Sequence, residues 1–589
     1  MTGHRKKPFS GKAKKAQLQA RKARKAARQD RAAHEPHPAN EEQQHDEPNV
    51  LQAFVPAREA APTFDRKHTG SSRKLVSSFE KLSSETIERA RLESMKPLKK
   101  LPKTALEIGV DAFPDSMDFP KRPPWDYNMS KEQLEKRENE YFQQWVSGIY
   151  ERYEGQQSSL SWFERNLEVW RQLWRVLEIS DIVIVVMDIR HPLLHFPRAL
   201  YNYVTKELKR KIVGVFNKVD LVSEFTVFAW RKYFEQEFPE LHVTTFSCYP
   251  RDEKLIDDTS TYVLKQRAKR PRKWYYHAQG IANILRTCSK LELDNKSVPV
   301  DWQALIDRYD NTKEEEEEEG DDEDNEENWD DESDTGSMVG LDDEFSRVLD
   351  ISSQQATPHR DYITLGLVGH PNVGKSSLIN SIMQKTVVSA SRTPGHTKHF
   401  QTIHLTDNVR LCDSPGLVFP TLLPRALQIL SGMYPIAQVQ EPYSVVQYLA
   451  ERVPVEKILA LIPPVDDVDQ VSTFRWSAWT ILEAYAIQRG FYTAKAARPD
   501  VYRAANTILR LTTDGRILMS FKPPGFFETS TYEKLRVEEQ KQLAIAAQEE
   551  QSNGSDDSDD SDIEQGDQGG KINITQGGAF ALLADEMDD

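Results

Sequence analysis

Only three cysteines occur in 589 residues, Cys248, Cys288 and Cys412, and no two of them form a CxxC pair. That scarcity excludes a disulfide framework and a zinc ribbon, and it fits a reducing cell interior. Apolar runs are short as well. Ile182–Met187 is six residues long, against the roughly 20 that a membrane helix needs. The basic N-terminus is followed by no apolar stretch, so no secretory signal is expected. Inspection finds no internal repeat of fixed period. Together these absences predict an intracellular, soluble protein with no membrane partner.

Charge is abundant and unevenly placed. The formal net charge is −15, from 77 Lys and Arg against 92 Asp and Glu. Residues 1–31 carry twelve basic side chains and one acidic one, Asp30. Residues 314–334 carry sixteen acidic side chains and no Lys or Arg, and residues 552–589 carry eleven against Lys571. The other 499 residues sum to zero. A neutral body is therefore expected, with a disordered basic arm (1–31), a disordered acidic insert (311–357) and a disordered acidic tail (531–589). Residues 32–114 read as a linker, in which the prolines from Pro97 onward favour an extended, docked segment. Regular folded structure is expected from about residue 129.

Inside the body, Ser130 is placed to cap a polar helix. Leu167, Trp170, Trp174 and Leu177 share one face of a helix over about 160–178. Three runs then alternate with helix-compatible spacers: the one from Asp181, Lys211–Asp220 and Val243–Ser247. Continuous apolar runs of this kind suit strands buried on both faces, as in a parallel sheet. Beyond the insert the pattern resumes with Tyr362–Gly369, FQTIHLT and VRLCDSPG. From about 425 the chain reads as helical, over Ala426–Tyr434, Tyr443–Val453, Trp476–Arg489 and Val501–Arg510, with Asp514-Gly515 as a stop.

Three motifs carry chemistry, each behind an expected strand. Gly369-His-Pro-Asn-Val-Gly374-Lys375-Ser376 matches GxxxxGK[ST]. In such a loop the backbone from Asn372 and Val373 through Gly374, Lys375, Ser376 and Ser377 cradles phosphates; the lysine reaches the β- and γ-oxygens and the serine hydroxyl ligates Mg²⁺. Asp413-Ser-Pro-Gly416 is a DxxG, giving a carboxylate for the Mg²⁺ shell and a glycine N–H for the γ-phosphate. Asn217-Lys218-Val219-Asp220 offers a carboxylate that accepts both N1–H and N2–H of guanine, a donor pair adenine lacks. Asn217 braces that loop, and the Lys218 stem lies on the base. Ser247-Cys248 follows another strand and is a candidate backbone contact to guanine O6. Thr397, with Thr393 as the alternative, is a candidate Mg²⁺ ligand between the phosphate loop and DxxG. Lys375, Thr397 and Gly416 form the expected catalytic set, and Ser376, Thr397 and Asp413 the expected metal set.

The order of these motifs is inverted. The guanine-selecting motif precedes the phosphate loop by about 150 positions, whereas a Ras-like domain has it afterwards. Moving the chain start is tolerable because domain termini often lie close together. With the Asp188-Ile189-Arg190 triplet, GHPNVGKSSLIN and SRTPGHT, the chain resembles the circularly permuted GTPases of the YlqF/YawG type. FPKRPPWDYNMSKEQL, LEVWRQLWRVLEISDIV, LLPRALQILSGMYPIAQVQEPY and TAKAARPDVYRAAN carry a closer match to one eukaryotic branch.

The resemblance implies an α/β fold: a circularly permuted Ras-like P-loop GTPase domain in two parts, 115–310 and 358–425, and a helical C-terminal domain, 426–530. It implies GTP/GDP and Mg²⁺ as ligands, slow GTP hydrolysis and a part in ribosome assembly. Leu417 stands where Ras-like enzymes place a water-orienting glutamine. Asn372 matches an asparagine that binds K⁺ in several relatives, or else it only shapes the loop. The basic arm reads as a nuclear or nucleolar address, using the import machinery, or as an RNA arm. Lys495, Arg498, Arg503 and Arg510 either face RNA phosphates, as on a pre-ribosomal particle, or are solvated. Ser555, Ser558 and Ser561 precede acidic pairs and suit an acidophilic kinase. A GTP-dependent signalling protein with negligible turnover, and a scaffold with a merely structural nucleotide fold, are the rival readings.

Overall fold

The computed structural model describes residues 83–113, 117–126, 128–153, 160–250, 264–265, 278–293, 299–310, 362–388, 401–464, 474–493, 498–527 and 530–541. The basic arm, the acidic insert, most of the acidic tail and the loop bearing Thr393 and Thr397 lie outside these residues. Everything described belongs to one compact unit, Arg73–Asp589.

Folded structure begins earlier than the composition predicts. Within the expected linker, Ser84–Ser94 (α1) is a helix capped by the Ser83 side chain, which accepts from Thr86 N–H. Beyond it the backbone is strapped across the C-terminal half of the chain. Leu98 N–H donates to Trp476 O (2.8 Å), Leu101 N–H to Glu451 O (2.8 Å) and Ile108 N–H to Lys522 O (3.0 Å). A segment without apolar periodicity thus satisfies its backbone donors on distant carbonyls, a pairing that local sequence does not encode.

Lys131–Arg152 (α2) starts in a capping box, with Ser130 and Gln133 bonding each other's backbone N–H. Ser130→Ala should lower stability by about 1 kcal/mol in urea unfolding. Leu167–Ile179 (α3) is shorter than expected. Residues 160–164 instead run extended, with Ser161 N–H donating to Thr421 O and Glu164 N–H to Val418 O. The proline segment docks on α3, where the Trp174 indole donates to Pro120 O (2.7 Å). Buried Glu138 on α2 receives Arg122 (3.0 Å) and Arg171 (2.8 Å), tying all three pieces together.

Six strands follow: Ile182–Asp188 (β1), Lys211–Asn217 (β2), Leu241–Phe246 (β3), Ile363–Val368 (β4), Gln401–His404 (β5) and Val409–Asp413 (β6). They form one sheet in the order β3-β2-β1-β4-β6-β5. All pairs are parallel except β5 with β6 at one edge. If β4 is counted as the first strand, the order from that edge reads 2-3-1-4-5-6. This is a doubly wound sheet whose first and fourth strands adjoin, and the chain has merely been opened between its third and fourth strands.

Alternate residues of β1 feed two cores. Val183, Val185 and Met187 meet Trp170, Trp174 and Trp230 on one face. Ile182, Ile184 and Val186 meet Ile284, Leu378 and Ile379 on the other. Glu224–Glu237 (α4) lies on the first face; Ile281–Ser289 (α5), Trp302–Asp310 (α6) and Lys375–Ile382 (α7) cover the second.

The C-terminal helices are Arg425–Leu430 (α8), Tyr443–Arg452 (α9), Ala478–Arg489 (α10) and Val501–Thr513 (α11). α8 ends sooner than expected, before Gly432, whose φ of +82° turns the chain away. Leu449, Ile481 and Ile508 from these helices belong to the same apolar cluster as β1 and α3. The helical region is therefore packed continuously onto the sheet. Among the described residues no helix is long and apolar enough to cross a membrane.

Candidate nucleotide-binding site

The carboxyl ends of β1, β2, β4 and β6 meet at the centre of the sheet, where the strand order reverses. In open α/β sheets that crevice is where ligands bind. All three sequence motifs are delivered there.

From β4 the chain enters the loop Gly369–Gly374 and then α7. Gly374 has a φ of +103°, and a Cβ there would sit 2.1 Å from Asn217 Nδ2. No larger residue fits. Val373 is buried and its carbonyl accepts from Asn217 Nδ2 (2.6 Å). Ser376 and Ser377 lie half-buried in the first turn of α7. Lys375 is buried and curls over its own loop, donating to Gly369 O (2.9 Å) and His370 O (2.8 Å). Burial pushes its pKa down to about 8, with Asp413 pulling the other way.

At the end of β6, Asp413 is fully buried and neither carboxylate oxygen has a hydrogen-bond partner. Burial pushes its pKa up to about 6, against the pull of Lys375 and the Ser414 N–H. Two orphaned anionic oxygens fit a hard cation. Among the described residues no group of three or more His, Cys, Asp or Glu is placed to hold a metal. An ion here would thus rest on few protein oxygens, as Mg²⁺ beside phosphates does. The DxxG turn lies directly on the phosphate loop: a Cβ on Gly416 would come within 2.7 Å of Pro371 Cα. Leu417 is 2% exposed and packs in the apolar core.

On the base side, Lys218 adopts the left-handed conformation (φ +62°) that swings its side chain back across the strand ends. Its ammonium donates to Asn372 O (2.9 Å) and to Asp188 (2.8 Å). Asp220 accepts the Ser247 hydroxyl (2.7 Å). Of the Ser247-Cys248 pair expected to offer its backbone to the base, Ser247 has its N–H engaged by Gln279 O (3.0 Å), while its hydroxyl bonds the Asp220 carboxylate. Asn372, also left-handed (φ +59°), donates through its side chain to Gly432 O (2.9 Å). Asn217→Ala removes the brace between base loop and phosphate loop and should weaken nucleotide affinity about tenfold in calorimetric titration.

Thr397, with its alternative Thr393, falls outside the described residues, as do Lys495, Ser555, Ser558 and Ser561. Arg498, Arg503 and Arg510 are exposed, and Arg503 lies over the Phe491 ring at 4.4 Å. Sequence reasoning gave no role to the Asp188–Arg190 pair or to three buried imidazoles, His191, His195 and His370. The DIR triplet was a visible signal for the pair; isolated histidines gave none.

Residues 364–474 match the family of 50S ribosome-binding GTPases. Guanine nucleotide-binding protein-like 1 from Homo sapiens is 45% identical over 464 residues, covering 76% of this chain and 73% of that protein. The large subunit GTPase 1 homolog of Mus musculus is 32% identical, over 69% of this chain and 66% of its own length. The GNP-bound structure of YlqF from T. maritima is 17% identical, covers 61% of this chain and 99% of that one, and has a TM-score of 0.31. The sequence identity together with the inverted motif order leads to one conclusion: the chain belongs to the guanine nucleotide-binding protein-like 1 family of circularly permuted GTPases.

Proposed function

We propose that this chain binds GTP across the ends of β1, β2, β4 and β6, hydrolyses it slowly with Mg²⁺, and uses the nucleotide state as a switch in ribosome assembly. One observation carries the site. The Asn217 side chain bonds the Val373 carbonyl, 156 positions away, so the base-selecting and phosphate-binding motifs are one structure. Asp220 would select guanine, with Lys218 along the base. The N–H groups from Asn372 to Ser377 and the start of α7 would hold the phosphates. Lys375 would leave its loop carbonyls for the β- and γ-oxygens. Ser376, Asp413 and Thr397 would hold Mg²⁺, and the Gly416 N–H would meet the γ-phosphate. When bound, Mg²⁺ supplies positive charge to the phosphate oxygens as charge develops on them. Fluorescent GTP titration tests the reading: wild type should bind, Lys375→Ala should not, and a wild type that ignores GTP ends it.

Slow turnover is supported by Leu417, which is buried and offers no group to an attacking water. Leu417→Gln should leave turnover no faster and cost about 2 kcal/mol in chemical unfolding, because a polar amide enters an apolar core. The same observation favours a second reading, a GTP-dependent regulatory protein with negligible turnover; multiple-turnover phosphate release separates the two. Asn372 remains the candidate for a K⁺ contribution, and hydrolysis in KCl against NaCl decides it, equal rates removing the ion.

The assembly role is supported by the ribosome-binding description of the family that matches residues 364–474, and by the basic arm. Exposed Arg498, Arg503 and Arg510 would add phosphate contacts. Co-sedimentation with pre-ribosomal particles should be stronger with a GTP analogue than with GDP. We place the protein in the nucleus or nucleolus, imported through the arm. A fluorescent fusion lacking residues 1–31 should then stay in the cytoplasm.

A further inference from the structure

Beyond the motifs that contact nucleotide, the ends of β1, β2 and α11 converge on one buried carboxylate. Asp188, the last residue of β1, is fully buried and saturated. Oδ1 accepts the Arg190 N–H (3.0 Å) and Arg190 Nε (3.0 Å); Oδ2 accepts Arg190 Nη2 (2.7 Å) and Lys218 Nζ (2.8 Å). The other side of the Arg190 guanidinium reaches the final turn of α11, where Nη1 donates to Thr512 O (2.9 Å) and Nη2 to Thr513 O (3.1 Å). Thr512 O also accepts the Gly515 N–H (3.0 Å) in the turn that ends the helix, and a cation at a helix C-terminus is favoured by the dipole.

We propose that Asp188 is a positioning residue for guanine recognition, holding Lys218 in place, and that Arg190 makes this hold depend on the docking of α11. The proposal rests on the reading of Lys218 and Asp220 as the base site.

Lys218 is a long, flexible side chain in a conformation that non-glycine residues rarely adopt. Lying flat along a base requires that its far end be fixed, because an unfixed lysine loses much rotamer freedom on binding. Two acceptors fix it: the Asn372 carbonyl, in the phosphate loop, and Asp188. Only the second is charged. Without that charge, Lys218 and the fully buried Arg190 would lose the carboxylate that both of them bond, and their mutual repulsion would drive the ammonium outward.

The tether continues past Arg190. Gly432, in the turn after α8, lies against both Asn372 and Thr513, with a hypothetical Cβ 3.6 Å from Asn372 Cβ and 4.0 Å from Thr513 Cγ2. Asn372 donates to its carbonyl. Base loop, phosphate loop and the end of α11 thus share one network of directional bonds. Loosening α11 withdraws two acceptors from Arg190 and, through Asp188, frees Lys218.

The test is a double-mutant cycle on the full chain with Asp188→Asn and Lys218→Ala, read as GTP and ATP affinities by calorimetry alongside thermal melting. Wild-type GTP binding is measured first; its absence overturns the guanine-site reading and this proposal with it. With binding present, each single variant should weaken GTP affinity about tenfold and narrow the GTP-over-ATP preference. The double variant should be no weaker than either single one. Arg190→Lys, which keeps the charge but loses the fork, should reproduce part of the loss. Additive losses, or a lower melting temperature with GTP affinity and base preference untouched, overturn the proposal alone. Should Asp188→Asn fail to fold, Arg190→Lys with Lys218→Ala runs the same cycle under the same criteria.

Discussion

Asp220→Asn should weaken GTP binding by about 10²–10³-fold and move preference to xanthosine triphosphate. Guanine presents two adjacent donors, N1–H and N2–H, and a carboxylate accepts both with charge assistance. Such bonds are worth about 1.5–3 kcal/mol each when made to a charged group. An asparagine keeps one acceptor but sets an amide N–H against N2–H, so one bond is lost and a donor faces a donor. Xanthine carries a carbonyl at C2, which that amide can satisfy, while its N1–H still meets the remaining acceptor. The side chain has the same shape, and the oxygen that accepts the Ser247 hydroxyl at 2.7 Å can still do so. The fold should therefore be retained, with an unchanged melting temperature. Titration of wild type and variant with both nucleotides reads the exchange. Unchanged GTP affinity in a folded variant means that the base does not lie at Asp220, and the guanine assignment fails with it.

How much of this site the sequence announces depends on whether a residue's role is local. The phosphate loop is legible because its chemistry needs glycines at fixed offsets between a strand and a helix, and Gly374 is indeed pressed against Asn217. The central strands are legible because a strand buried on both faces must be apolar throughout, as Ile182–Asp188 nearly is. Helix ends were less so: Arg425–Leu430 stops before Gly432, which Asn372 bonds from the far motif. The extended, docked segment from Pro97 was legible in its prolines, but its partners were not, since its bonds go to carbonyls hundreds of positions away. Asp188 stood out in the DIR triplet, but its bonding was hidden for a similar reason. Aspartate at a strand end is common; only the fold reveals that Arg190 and Lys218 both close on it. Leu417 is visible in the sequence as a leucine where Ras-like enzymes have glutamine, but its burial in the core had to come from the structure.

His191, His195 and His370 meet edge to face beside the phosphate loop, with ring centroids 6.2 and 5.5 Å apart, and all are buried. Burial pushes His191 and His195 down to about 3 from the usual 6.5, with the neighbouring cations Arg190 and Lys218 contributing, and holds His370 well below its usual value. The folded protein therefore binds fewer protons than the unfolded chain between about pH 3 and 6.5. Their contribution to stability is fully present above pH 6.5 and is lost as pH falls below it. At pH 5.5 the loss is about 1.4 kcal/mol each for His191 and His195, about 3 kcal/mol for the two, and His370 acts in the same direction. Asp413 opposes this, since its pKa is raised to about 6 and the folded state gains a proton as pH drops; that returns about 1 kcal/mol. Denaturant unfolding should accordingly show at least about 2 kcal/mol less stability at pH 5.5 than at pH 7.5. His195→Gln, which cannot titrate, should shrink that difference by about 1.4 kcal/mol whatever it does to stability at neutral pH, and Asp413→Asn should enlarge it by about 1. A difference unaltered by His195→Gln would mean that its imidazole accepts a proton in the folded state. The phosphate loop would then sit on a charged layer rather than on a neutral one.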